Sequence, residues 1–202
     1  MNVRLEYTMT FTAGVWWEGR MIMNNYLARV NMITNCTEPA NQNTAFERLK
    51  YFVFNQLNST IFVNRTHQDT CDKFVAAGLD VTSLPAEPVD QIIGMMLYCK
   101  LNAVMEQRIV INEIEVSSEL GEHMVYLHAA DENLGPFDTA GWWHDSDPIH
   151  CDLTLIDSDK VVAMHRAGVW RELGLAWHEE SDPVSDSDNT VVFADFKNNE
   201  TK

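Results

Sequence analysis

The sequence predicts an α+β fold: a mostly antiparallel sheet built from hairpins, about three helices packed on one face, and an irregular acidic C-terminal extension. Three observations carry this expectation. Residues 4–12 and 21–33 alternate apolar and polar side chains at the two-residue period of half-buried strands, with Ala13-Gly14 to Glu18-Gly19, carrying Trp16-Trp17, as the turn between them. Residues 41–57, 66–77 and 88–106 carry apolar side chains at helical spacing. The strands come in hairpins rather than in strand–helix–strand crossovers, which favours antiparallel pairing with helices on one face.

Each element follows from its residues. In the first strand Leu5, Tyr7, Met9 and Phe11 face one way, and Arg4, Glu6, Thr8 and Thr10 the other. In the second, Tyr26, Ala28, Val30 and Met32 alternate with Leu27, Arg29 and Asn31, and Asn24-Asn25 is a candidate bulge. The polar stretch Thr37 to Asn43, with Pro39 inside it, marks a turn. Ala45, Leu49, Phe52, Val53 and Leu57 give the helix over 41–57 its apolar stripe, and residues 60–63 form a short strand. The helix over 66–77 stops at Gly78, which can take the left-handed conformation that closes a helix.

Pro88 suits the first turn of the helix over 88–106, where a missing N–H costs nothing. Charges on that helix are confined to Asp90, Lys100 and Glu106, so it is expected at the centre of the core. Residues 108–116 and 123–128 form a second hairpin. Beyond residue 129 periodicity is lost. Residues 151–156 and 159–164 read as short strands, and 179–189 as an acidic loop. The expected organisation is a core over 1–129 with residues 130–202 packed against it, as a single domain.

Composition narrows the function classes. Of 202 residues, 46% are hydrophobic and 22% charged, as in ordinary globular chains. The formal net charge is −16, and it is uneven: residues 1–118 hold 12 acids and 9 bases, residues 119–202 hold 18 acids and 5 bases. Such a surface opposes direct binding to nucleic acid and to anionic membranes, and attracts basic protein surfaces and metal cations. Cys36, Cys71, Cys99 and Cys151 form no C-x-x-C pair and read as free thiols. With no apolar run at the N-terminus, the expected location is the cytoplasm.

The densest chemistry lies in Gly141 to Asp152, which holds Trp142, Trp143, His144, Asp145, Asp147, His150, Cys151 and Asp152. His144, Asp145, Asp147, His150 and Asp152 are candidate ligands for a divalent metal, since imidazole with carboxylate suits zinc, manganese or iron. The alternative is an acidic loop whose aspartates cap turns and whose tryptophans plug the core. His150 and Cys151 are adjacent, so on a strand they face opposite ways and cannot pair as base and nucleophile. Nucleotide-binding glycine motifs are absent.

Trp16-Trp17, Asn25-Tyr26-Leu27, Gln42-Asn43 leading into Phe46 to Phe52, Leu84-Pro85-Ala86-Glu87-Pro88 through Ala103, and Gly141-Trp142-Trp143-His144 together resemble an uncharacterised protein family of large tailed, marine bacteriophages. That resemblance spans roughly residues 5–152. It implies a product acting inside an infected cell or built into a virion, and it assigns no catalytic residue.

The leading functional expectation is a non-enzymatic acidic interaction protein, a phage accessory or host-interaction factor. It would present an acidic surface with Trp142 and Trp143 to a partner protein carrying a basic surface. The alternatives are a metal-dependent hydrolase using the loop from His144 to Asp152, and a structural virion or assembly component. A homo-oligomer is compatible with all three.

Overall fold

In the computed structural model, which describes residues 3–150 and 169–178, the long N-terminal hairpin is the spine of the sheet. β1 (Arg4–Trp17) and β2 (Arg20–Thr34) pair antiparallel without interruption from Arg4 opposite Ile33 to Trp17 opposite Arg20. Glu18 and Gly19 both have positive φ, the two-residue turn that matches strand twist. The candidate bulge at Asn24-Asn25 is absent, since both pair regularly with β1; the register shift comes instead in the pairing of β2 with the strand over Ile109–Ser118, between Asn31 and Met32, where Asn112 is skipped.

On the β2 side, β5 (Ile109–Ser118) and then β6 (Tyr126–Ala129) add antiparallel strands. On the β1 side, β3 (Ile61–Asn64) and then β4 (Val81–Leu84) add parallel ones. The strand order is β4-β3-β1-β2-β5-β6.

The helices are α1 (Pro39–Tyr51), α2 (Gln68–Ala76), α3 (Asp90–Met105) and the short α4 (Val169–Glu172). α1 runs on into a π-helical turn, Phe52–Leu57. Pro39 opens α1 rather than a turn, because the first helical position has no use for its missing N–H. α3 buries eleven of its sixteen residues against β5, β6 and α1, as its apolar circumference requires. No helix among the described residues is long and apolar enough to cross a membrane.

The expected mostly antiparallel sheet with helices on one face is not what forms. Two of the five strand pairings are parallel, so the sheet is mixed. β3, α2 and β4 make a strand–helix–strand crossover, and α2 lies on the opposite face from α1 and α3. Alternation along β3 shows this directly. Phe62 enters the main core with Leu84, whereas Ile61 and Val63 join Val81, Cys71, Trp16 and Phe74 in a second cluster under α2. Val81-Thr82-Ser83-Leu84 is buried throughout but too short and too polar to announce itself by periodicity.

Two buried cations tie the C-terminal half to this core. The Lys100 side chain, on α3, is fully buried and donates to the carbonyls of Trp142 at 2.8 Å, Asp145 at 2.7 Å and Asp147 at 2.6 Å. Arg48, on α1, lies against the rings of Trp177 (3.8 Å) and Trp170 (4.8 Å), and donates to the Leu175 carbonyl and to Glu106. Such charges are tolerated inside only when their donors are satisfied. The strands read over 151–156 and 159–164, and the acidic loop over 179–189, lie outside the described residues.

Candidate ligand cleft

Beside the turn of the N-terminal hairpin lies a cleft on the inner face of the sheet. Its floor is Val15, Trp17, Ile22 and Asn24; its walls are the head of α3 (Pro88 to Gln91) and the connection from β5 to β6 (Leu120, Gly121, Met124, Val125 and Tyr126). Its volume is about 570 Å³, within the range of small-molecule sites. Most of the lining is apolar, and part of it faces water: Met124 is 72% and Val125 61% exposed. The β1–β2 register explains the floor, because Val15 pairs with Ile22 and Ala13 with Asn24, so the floor side chains share one face.

Asp90 is the one carboxylate in the lining. It stands in the first turn of α3, where backbone N–H groups favour an anion. The Ser118 hydroxyl lies 2.7 and 2.9 Å from its two oxygens, and Ser118 Oγ accepts from the Gly121 N–H at 3.1 Å. A Cβ at residue 121 would overlap Asp90 Oδ2, so only glycine lets the loop approach this closely. Glu122 and His123 follow with φ of 52° and 61°, left-handed conformations that non-glycine residues adopt only where surroundings enforce them.

Next to the cleft is Tyr26, 2% exposed, its hydroxyl buried beside the Asn24 side chain. Burial pushes its phenol far above the ordinary range, with Asn24 pulling it back and Asp90 adding to the rise. The result is an apolar trough with one oriented acceptor and two neutral polar groups, Asn24 and Gln91, beside it. It can hold a flat apolar body and a donor group.

The loop singled out by sequence has another role. Trp142 and Trp143 are 2% and 0% exposed, and their indole N–H groups donate to the Ser83 carbonyl and to the carbonyls of Phe137 and Thr139. Trp170 and Trp177 are likewise buried, and their N–H groups reach the Ser146 carbonyl and Glu106. His144 places Nε2 2.8 Å from the Phe137 carbonyl. Asp145 and Asp147 meet Lys100 through backbone carbonyls, and their carboxylates help hold its charge. Burial lowers the Lys100 ammonium to about 7, against that attraction. Burial also lowers His150, with Asp80 opposing and Lys100 reinforcing the shift. Among the described residues no group of three or more His, Cys, Asp or Glu is placed to hold a metal, and Asp152 lies outside them.

These positions correct the expectation of a non-enzymatic acidic interaction protein. The tryptophans that were to be offered to a partner are spent in the chain's own core, and the acidic loop that carries them is wrapped around a buried lysine. Sequence reasoning missed the cleft because its residues come from β1, β2, α3 and the β5–β6 connection, with no local motif. The available signals were Asp90, the one acid within the apolar run of α3, and the small polar stretch Ser117-Ser118-Glu119-Leu120-Gly121.

No family model matches the chain, and no curated protein matches it. Among solved structures it is similar to 6-pyruvoyl tetrahydropterin synthases, proteins named as enzymes. With that of Plasmodium vivax it shares 10% identity at a TM-score of 0.41, covering 63% of this chain and 97% of that one. With that of Caenorhabditis elegans it shares 11% identity at 0.41, covering 65% and 97%. With that of Plasmodium falciparum it shares 11% identity at 0.40, covering 63% and 96%.

Proposed function

We propose that the protein binds a small molecule with a flat apolar body and an N–H donor group, seated in the inner cleft and anchored by Asp90. The carrying observation is the 570 Å³ apolar cleft with a single carboxylate held at its edge by Ser118 and the head of α3. A carboxylate beside apolar walls recognises amidines and aromatic amines well, because paired N–H donors match its two oxygens while the ring buries its faces. Trp17 and Tyr126 supply aromatic surface for that ring.

The test is thermal-shift and tryptophan-fluorescence titration of the full chain with aromatic amidines and amines, benzamidine first. A raised melting temperature in the wild type, lost in Asp90→Asn and retained in Gln91→Ala, is the expected result. Equal response of wild type and Asp90→Asn, or none across the set, would overturn the reading.

A further inference from the structure

The β5–β6 connection has a second side. While Leu120, Gly121, Met124 and Val125 wall the inner cleft, Glu119 and His123 turn to the outer face of the sheet. There, with Thr10, Thr12, Asn25, Leu27, Asn58 and Ser117, they line a separate cleft of about 540 Å³. Its lining carries more polar groups: hydroxyls, amides, one carboxylate and one imidazole, beside the apolar Leu27, Phe11 and Tyr26.

Two details show that the outer cleft is built. Asn25 Oδ1 accepts from the Thr12 hydroxyl at 2.7 Å, and Asn58 Oδ1 accepts from the Thr12 N–H at 3.1 Å. Both amides are therefore fixed by their oxygens, which leaves both NH2 groups as donors. Ser117 is 8% exposed and lies in the cleft wall, so its position is set by the sheet around it. It pairs with Leu27 across the ladder, so the hydroxyl and the aliphatic surface lie side by side.

We infer that the outer cleft is a binding site for the vicinal diol of a neutral sugar. Each sugar hydroxyl is both donor and acceptor. Glu119 can accept from two adjacent hydroxyls, the Asn25 and Asn58 amides can donate to them, Ser117 can do either, and Leu27 can meet the C–H face. A net charge of −16 disfavours an anionic ligand such as a sugar phosphate. The inference does not depend on the inner cleft.

The experiment is saturation-transfer NMR on the full chain with methyl β-D-ribofuranoside and with adenosine, each beside its 2-deoxy counterpart. Saturation of the sugar protons is expected, reduced several-fold without the 2-hydroxyl. It should also fall in Glu119→Gln and Ser117→Ala and persist in Asp90→Asn. Equal saturation of both sugars identifies a free monosaccharide as the class, and markedly stronger saturation of adenosine identifies a nucleoside. No transfer to either, equal transfer to the 2-deoxy forms, or loss in Asp90→Asn with retention in Glu119→Gln would overturn the assignment.

Discussion

Lys100 concentrates the energetics of the C-terminal half in one side chain. Three main-chain carbonyls accept from its ammonium, and without it they would face a dry interior. Replacing it with methionine keeps the volume and removes the donors, so Lys100→Met should cost on the order of 3 kcal/mol by urea denaturation. The sign of its pH dependence follows from the lowered value. The folded chain releases this proton at about 7, the unfolded chain near 10.5. Between those values the unfolded state holds more protons, so this residue's contribution to stability rises with pH across that window. The stability–pH curve of wild type should therefore climb relative to that of Lys100→Met from about pH 7 upward; parallel curves would refute the placement. Thiols give a second check at the same scale. Burial pushes Cys99 up to about 12 and raises Cys71, whereas Cys36 is half-buried. A thiol reagent added to the native protein should modify Cys36 well before Cys71 and Cys99.

Among the elements, those with a long period were legible in the sequence and those held by their neighbours were not. The alternation over 4–12 and 21–33 and the helical spacing of α3 made those buried faces readable directly, whereas residues 13–17, expected in the turn, extend β1 to Trp17. β4 offers four residues, two of them hydroxylated, and becomes a strand only because β3 is beside it and α2 packs over it. Missing β4 meant missing the crossover, and with it both the parallel pairings and the helix on the far face. The same limit applied to the cleft: Asp90 was visible as an isolated acid, but nothing local in the sequence brings Gly121 against it. Because α2 depends on a separate, smaller cluster, it should be the first helix to loosen. Phe74→Ala, which removes the ring packed edge-on to Trp16, should cost about 2 kcal/mol. It should speed amide hydrogen exchange in residues 68–76 while leaving α3 protected.

At the scale of the whole molecule, charge and packing oppose each other. The chain carries −16, with most of the excess in its C-terminal part, and the described stretches around Trp142, Trp170 and Trp177 are held to the core by the cations of Arg48, Lys100 and Arg108. Salt screens the self-repulsion of exposed acids more than it weakens buried contacts. Moderate sodium chloride should therefore raise the urea midpoint of the wild type, and a fall would mean that attraction between exposed ion pairs outweighs that repulsion. Trp177→Ala should lose about 3 kcal/mol, because it removes the ring against which two guanidinium groups lie.

Lys100 also sets what can vary over evolutionary time. Its three acceptors are main-chain oxygens, which every amino acid supplies, so its hydrogen bonds do not depend on the letters at positions 145 and 147, whose carboxylates add a charge attraction only. Those aspartates can drift to other small polar residues at modest cost, whereas Lys100 and the indoles of Trp142 and Trp143 cannot. A library randomised over 144–147 should retain many folded members, and a library randomised at position 100 should retain few. The stretch that looks most like a signature is thus, in its acidic letters, among the most replaceable parts of the core's covering.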